Sequence, residues 1–421
     1  MTVLISLWIG LIGADRINLL GKNSAFILTP FLVLTPLVIL GELVRRHRAN
    51  TTVTMPRGAL AFAVLAMALL SLSMASVYIS RDFETSAVRV VQLALMIFGP
   101  LSVMLVARDR TNLPEILARG ARVGIAVYFA FNVAAILVFL QIIPETYPPA
   151  LGIFRFAPYR YGGIIPRLAG MVEDANRGGM LLVLFGFLLA QGDTNRSRMW
   201  RWLTLAAIML VLTLSRSAML AAGGAIGAMI LSGSGIRIPR RVIAAFSLVV
   251  ALIAATFLVV PSTRSVVATS LRPLLGRLTV VEGSSQDHLH LLLRGIYTGT
   301  RSVGAALHGL GYGSSHVVLQ DFFPGSRYGN FHSVYVGIFA EVGVFALILV
   351  MLLIGVPLTV RGPYRPLVAA VACFGVFYGA LSEPLFWLAL VLAWSGFPAS
   401  ISRPNASVTA TAMPRIAPSS S

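Results

Sequence analysis

Long apolar runs separated by short polar stretches cover most of the 421-residue chain. A helix that crosses the hydrocarbon core of a bilayer needs about 20 mostly apolar residues. The pattern therefore predicts an all-α fold, a polytopic transmembrane helical bundle of about 10–12 spans. The apolar windows lie at 2–20, 24–44, 58–80, 87–106, 122–143, 178–191, 201–214, 217–234, 242–260, 332–359, 366–382 and 385–400.

The short loops between these windows differ in their arginine content, and this difference predicts an orientation. Positive residues close to the ends of membrane helices stay on the cytoplasmic side. With twelve spans, the basic loops alternate with loops that are poor in charge, so both termini are predicted to be cytoplasmic. The basic loops contain Arg45, Arg46 and Arg48; Arg108 and Arg110; Arg196, Arg198 and Arg201; Arg237, Arg240 and Arg241; and Arg361 and Arg365.

Two of the opposite, outer loops are long, and loops of such length usually have a function or are disordered. The second contains a stretch from Asp287 to His308 that predicts a helix, in which Leu289, Leu291, Leu292, Ile296 and Tyr297 form an apolar stripe. The sequence after Arg403 is rich in Ser, Pro, Ala and Thr and predicts disorder. The predicted parts are helices in 1–143, an outer loop in 144–177, helices in 178–260, a large outer loop in 261–331, helices in 332–400 and a cytoplasmic tail in 401–421.

The composition agrees with a membrane protein and excludes a soluble enzyme and a nucleic-acid-binding protein. The chain is 57% hydrophobic and 11% charged, whereas globular proteins carry roughly 25% charged residues. The net charge of +18 would suggest nucleic-acid binding in a soluble protein, but here topology accounts for many arginines, and no nucleic-acid partner is predicted.

Cys373 is the only cysteine, so the chain cannot form an intramolecular disulfide or a thiolate metal cluster. The apolar start from Val3 to Ile12 lacks a basic front and is expected to remain as an anchor.

Five of the six histidines fall in the second outer loop or at its end, which indicates a site there. Their spacing fits no helical pair of zinc ligands, so no metal and no cofactor are predicted. His332 is the best candidate, because a histidine at the mouth of a bundle can accept a proton near neutral pH. The alternative is an interfacial polar residue without chemistry. The five are His288, His290, His308, His316 and His332.

Arginines at three positions are candidates for binding an anion. Arg216 stands between two apolar runs with almost no loop, and a cation near hydrocarbon usually faces a cavity and a partner. The alternative for Arg216 is a tight hairpin whose guanidinium reaches the outer headgroups. Arg167 and Arg177 flank the end of the first outer loop, where Asp174 or Asn176 can cap the next helix. The segment Gly309-Leu310-Gly311-Tyr312-Gly313 is a weak nucleotide signature and is interpreted as a flexible connection.

Taken in order, these segments resemble the bacterial O-antigen ligase and O-antigen polymerase superfamily of integral membrane glycosyltransferases. The similarity includes Gly170 and Asn176 before a span, a Ser-Arg pair heading an Arg-x-x-x-Leu motif, and a large loop that closes with Gly-x-Gly-x-Gly. A His-Ser pair followed nine residues later by Gly completes the pattern at His332, Ser333 and Gly343. The chain departs from the ligase pattern at Ala346, and either Arg294 or His288 takes the place of the family's loop arginine.

The resemblance implies that a glycan on an undecaprenyl pyrophosphate carrier is passed, without a metal, to a sugar hydroxyl on the periplasmic side. In this interpretation Arg216 and Arg294 stabilise the pyrophosphate, and His332 acts on the acceptor hydroxyl. Arg167, Arg177, Asn176 and His288 are expected to bind substrate. The implied partners are a lipid-linked saccharide donor, a saccharide or lipid A-core acceptor, membrane lipid and a chain-length regulator protein. The implied location is the bacterial inner membrane.

A transporter or flippase for a lipid-linked saccharide is the alternative function. A transporter is expected to place its charges midway through the spans. Most candidate residues in this chain are instead predicted at the outer ends of helices and in outer loops, which favours the enzyme. Whether the enzyme polymerises or ligates is left open by the sequence.

Overall fold

The computed structural model describes residues 1–19, 28–143, 146–147, 154–155, 159–161, 165–231, 283–324, 329–360 and 362–396. The predicted span at 242–260, the predicted disordered tail and much of the two long loops lie outside these residues. The described part is predominantly helical, which confirms the coarse fold class.

Fifteen helices are present in the described residues. They are α1 Thr2–Gly10, α2 Pro30–Arg48, α3 Arg57–Val77, α4 Phe83–Ala107, α5 Leu113–Phe139, α6 Ala175–Gly192, α7 Arg196–Leu212, α8 Arg216–Leu231, α9 Gly283–Thr300, α10 Val303–His308, α11 Ser315–Phe322, α12 Val334–Val342, α13 Val344–Thr359, α14 Arg365–Phe377 and α15 Pro384–Ser395. Two short antiparallel hairpins occur in the first long loop, with β1 Thr146–Tyr147 paired to β2 Phe154–Arg155 and β3 Tyr159–Tyr161 paired to β4 Ile165–Arg167.

Three helices in the described part are long and apolar enough to cross a membrane, namely α3, α4 and α5. Their positions agree with the windows at 58–80, 87–106 and 122–143. Four further apolar helices, α8, α13, α14 and α15, have between 12 and 16 residues. These helices identify a membrane protein, while the larger number of spans remains a prediction.

The helix α15 lies at the centre of the core. All its residues from 384 to 392 are buried, as expected for a helix that is apolar on every side. Trp387 is the largest buried side chain of this helix, and its indole nitrogen donates to the Leu381 carbonyl at 2.8 Å. The most extensive contacts between other helices join α14 to α8 and join α5 to both α1 and α6.

The structure differs from the prediction at three helices. The first apolar window contains only the nine residues of α1, and Asp15 and Arg16 lie beyond it in turns. The window 332–359 is broken into α12 and α13 at Gly343, whose φ of +97° interrupts the helix. The predicted helix from Asp287 to His308 is likewise divided into α9 and α10. Ser302 lies between the two helices and caps α10, because its hydroxyl oxygen accepts a hydrogen bond from the Ala305 backbone nitrogen.

The predicted apolar stripe of α9 is wrong in its extent. Leu291 is buried, but Leu289, Ile296 and Tyr297 are about half exposed. One face of the helix packs on α12, where Gly295 lies against Val336 and Gly299 lies against Phe339.

Ion pairs and hydrogen bonds gather at the two ends of the helices. At one end, α2 is joined to the turn after α4, and α5 to the turn after α6. At the other end, the turn before α4 contacts α11, and the segment after α1 contacts α6. The first group is Glu42–Arg110 at 2.5 Å, Arg46–Asp109 at 2.7 Å and Arg122–Asp193 at 3.1 Å, and the second is Asp82–His316 at 3.0 Å and Asp15–Arg177 at 2.5 Å.

These contacts sharpen a test of topology. Reporter fusions after Asp82 and after Ser284 should both give a periplasmic signal. Asp82 contacts His316 on α11, and arginine alternation predicts that this part of the chain is outside. Fusions after Arg48 and Arg403 should give cytoplasmic signals. A cytoplasmic signal at Ser284 would place the whole candidate site on the wrong side of the membrane.

Candidate active site

A buried ion cluster joins three distant parts of the chain at the second of these ends. The Arg177 guanidinium lies between the carboxylates of Asp15 and Glu383, with Nη1–Oδ2 at 2.5 Å and Nη2–Oε2 at 3.0 Å. The three side chains are only 22%, 10% and 8% exposed. Because charges removed from water require partners, the cluster fixes α6 against the segment after α1 and the start of α15.

The start of α6 is a second polar junction beside this cluster. Asp174 accepts hydrogen bonds from the backbone nitrogens of Asn176 and Arg177, which confirms it as the helix cap. The Asn176 side-chain oxygen accepts from Arg167 Nη2 at 2.7 Å and from the Ser215 hydroxyl at 2.9 Å. Asn176 therefore connects the end of the first long loop to the turn between α7 and α8.

His332 lies just outside α12, in a conformation that few residues adopt. Its φ is +52°, and its backbone nitrogen donates to the Asn330 side chain at 2.8 Å. Strained backbone of this kind is often associated with a functional position. In the described residues, its buried Nδ1 atom has no hydrogen-bond partner.

The surroundings of His332 keep its imidazole neutral. Burial lowers the pKa of His332 to about 4, and the neighbouring His288 adds to this effect while Asp174 opposes it. A neutral imidazole has one nitrogen that can accept a proton. The residue can therefore act as a base toward a hydroxyl that enters the site.

The structure brings the predicted residues His288 and His332 together. Their ring centroids are 4.4 Å apart and the planes meet at 71°. Tyr378, at the end of α14, lies 6.3 Å from His332 by ring centroid. His288, His332 and Tyr378 therefore form a row of neighbouring rings from α9 to the end of α14.

The two predicted pyrophosphate arginines occupy other positions. Arg216 is the first residue of α8, follows a turn in which Leu214 has a φ of +53°, and has an exposed side chain. Arg294 is also exposed, and its guanidinium carbon stands 4.9 Å from the centre of the Phe322 ring.

The glycine-rich segment from Gly309 to Gly313 is held firmly and is not the flexible connection that the sequence predicted. Gly311 has a φ of +107°, and a Cβ placed there would come within 2.5 Å of the Ser80 Cβ. Leu310 and Gly311 donate to the carbonyls of Ala340 and Glu341. The glycines are thus required for close packing against α12 and the turn before α4.

Glu341 and Arg89 hold this segment from opposite sides. The Glu341 carboxylate accepts from the backbone nitrogens of Gly313 and Ser315 at 3.0 and 3.2 Å and from the Ser315 hydroxyl. Arg89 Nη1, two turns into α4, donates to the Gly313 carbonyl at 2.7 Å.

A cavity of about 400 Å³ lies beside the ion cluster and this segment. Its wall includes Asp15 and Arg177, Arg89 and Glu341, and the two residues Asn330 and Ser333 that flank the His332 region. A cavity of this size with apolar walls and a few polar groups is typical of a small-molecule site.

Sequence reasoning missed five residues of this site, namely Asp15, Arg89, Glu341, Tyr378 and Glu383. The chain has 15 acidic residues, so an acidic side chain inside or beside an apolar window was itself a signal. Their pairing across more than 150 positions could not be inferred from spacing. Among the described residues, no three His, Cys, Asp or Glu side chains are grouped as metal ligands would be.

Neither a protein-family model nor a curated protein matches the chain. The resemblance to membrane glycosyltransferases therefore rests on the sequence motifs alone.

The ion cluster leads to a prediction for Arg177. Replacing Arg177 by Met should leave two carboxylates buried without a cation and destabilise the protein by about 3–5 kcal/mol. The thermal midpoint of the detergent-solubilised protein measures this loss. The triple variant Arg177→Met, Asp15→Asn, Glu383→Gln should recover much of the stability. A single variant as stable as the wild type would show that the cluster does not hold these segments together.

The depressed pKa of His332 leads to a prediction for the pH dependence. The imidazole becomes positively charged only as the pH falls to about 4 and below, so it is neutral throughout pH 5.5–8. Its titration should therefore change activity by less than about twofold in that range. Activity should fall as the pH drops toward 4. His316→Gln serves as the background, because His316 is a second histidine that contacts a carboxylate, that of Asp82. A step centred near pH 6.5 in that background would contradict the assignment.

Proposed function

We propose that the protein is a membrane glycosyltransferase that passes a saccharide from an undecaprenyl pyrophosphate carrier to a sugar hydroxyl. The observation that carries the proposal is a cavity lined by Arg177 and by both chain neighbours of His332, whose ring contacts His288. The reaction takes place at the outer face of a bacterial inner membrane, in accordance with the predicted topology. Membrane lipid surrounds the protein, and a chain-length regulator is a further partner.

The proposed reaction needs a base and a site for the leaving group. The acceptor oxygen attacks the anomeric carbon of the donor sugar, and the bond from that carbon to the pyrophosphate oxygen breaks. The acceptor proton goes to the free nitrogen of His332, and the lipid pyrophosphate leaves with the bonding electrons. Arg216 and Arg294 stabilise the negative charge on this leaving group.

The low pKa of His332 fits such a mechanism. An imidazole with a pKa of about 4 is neutral at neutral pH, so one of its two ring nitrogens is available to accept a proton.

The placement of charge supports an enzyme more than a transporter. Most of the described ion pairs lie near the ends of helices or in the turns between them. A transporter for an anionic lipid would need charged groups near the middle of the bilayer. Uptake of labelled lipid-linked saccharide into protein-containing vesicles, without any transfer product, would favour the transporter.

The glycan profile of a deletion strain distinguishes the two forms of the proposed reaction. A polymerase deletion should leave a single repeat unit on the usual acceptor. A ligase deletion should leave long chains on the lipid carrier. An unchanged profile would contradict both forms.

Substitution of the two central residues tests the proposed roles. Arg216→Lys retains the charge but loses the two-pronged guanidinium contact, so transfer should fall by about 100- to 1,000-fold. His332→Ala should also slow transfer while donor binding stays nearly normal, because the arginines remain. Transfer and donor binding are measured on the purified variants in nanodiscs.

Matched controls are available for both variants. Arg201 is an exposed arginine in the first turns of α7, and His290 is an exposed histidine on α9. Arg201→Lys and His290→Ala should be as active as the wild type. Near-normal transfer by Arg216→Lys and His332→Ala at normal protein levels would remove both assigned roles.

A further inference from the structure

The charged residues around the cavity beside the ion cluster limit the class of ligand that it can bind. The charged residues that line it in the described chain are Asp15, Arg89, Arg177 and Glu341. Arg177 is paired with Asp15, and Glu383 adds a second carboxylate from behind the wall. Two cations therefore face two carboxylates in the lining. A dianionic pyrophosphate would meet no surplus of positive charge here, and a metal cation would meet two arginines.

The uncharged part of the lining offers hydrogen bonds of both kinds. Gln92 and Asn330 carry amides that donate and accept, and Ser333 and Ser382 carry hydroxyls. Leu93, Met96 and Ile338 provide an apolar surface in the same cavity. Mixed donors and acceptors beside an apolar wall suit a neutral ring that carries hydroxyl groups on its edge and C–H groups on its faces.

The cavity also lies next to the proposed base. Asn330 and Ser333 line it, and Asn330 accepts the hydrogen bond from the His332 backbone nitrogen. A ring bound in the cavity therefore lies beside the chain neighbours of His332. The lipid pyrophosphate is assigned to Arg216 and Arg294, which are exposed and do not line the cavity.

We infer that this cavity is a saccharide subsite, which binds a short neutral sugar segment of a substrate while the pyrophosphate is bound outside it. The inference rests on the proposed function and adds to it the location and charge class of the sugar. Asp15, Arg89, Gln92 and Asn330 are the groups that hydrogen-bond to the sugar hydroxyls.

A glycine in the wall allows the cavity to be filled without disturbing its neighbours. Gly337 on α12 lines the cavity, and a Cβ built on it meets no atom within 4 Å. Gly355 on α13 has the same open space and is not part of the lining. Gly337→Leu therefore places a side chain in the sugar's volume, and Gly355→Leu is the matched control.

The experiment compares transfer with binding of the bare carrier. Transfer is measured from the glycan profile of a deletion strain complemented with each variant, and binding is measured with undecaprenyl pyrophosphate, which has no sugar, on nanodisc-embedded protein. Gly337→Leu should reduce transfer by about tenfold or more, since displaced substrate loses its reactive geometry. Gly337→Ala should have a smaller effect and Gly355→Leu none. All three should bind the bare carrier as the wild type does.

Three results would overturn the inference. Normal transfer by Gly337→Leu at normal protein levels would show that no sugar enters the cavity. Weakened binding of bare undecaprenyl pyrophosphate by the same variant would show that the cavity holds the pyrophosphate. A deletion strain with an unchanged glycan profile would remove the proposed function itself, and the inference with it.

A second variant tests the subsite if Gly337→Leu fails to accumulate. Gln92→Leu removes the amide at similar volume and should reduce transfer severalfold without changing the binding of the carrier. Normal transfer by Gln92→Leu would contradict the subsite.

Discussion

The need to neutralise charge away from water determines much of how this chain is assembled. Arg177 lies between Asp15 and Glu383, and these three residues come from the segment after α1, the start of α6 and the start of α15. An unpaired charge in such a place is far more unfavourable than a missing apolar contact. The positions of three separate segments are therefore fixed relative to one another, and the cavity between them is fixed as well.

A second set of polar contacts serves the same purpose at the edge of the cavity. Glu341 accepts from Gly313 and Ser315, Arg89 donates to the Gly313 carbonyl, and His316 contacts Asp82. The glycine-rich segment is thereby held between α12 and the start of α4. The long segment that contributes His288 is tied to the helices that contribute the cavity wall.

The sequence predicted the regular parts of this arrangement well. Apolar windows located α3, α4 and α5, and Asp174 was identified as one of two candidate caps of α6. Local patterns determine these features, so they can be recognised locally. The break at Gly343 was missed, because a glycine in an apolar run gives no sign of its φ angle.

The site was predicted only in part. The clustering of histidines predicted a site in the second long loop, and two of these histidines, His288 and His332, do lie together. The carboxylates that complete the site could not be assigned, because Glu383 meets Arg177 across 206 positions. Such a contact depends on how the helices pack and leaves no periodic trace in the sequence.

This separation along the chain has a consequence for biosynthesis. Asp15 and Arg177 emerge from the ribosome early and form an electrically neutral pair, whereas Glu383 emerges only after α14 has been made. The early helices can therefore enter the bilayer without an orphan cation. Glu383 is synthesised last of the three, so its contact with Arg177 at the start of α15 can form only after α6 has been made.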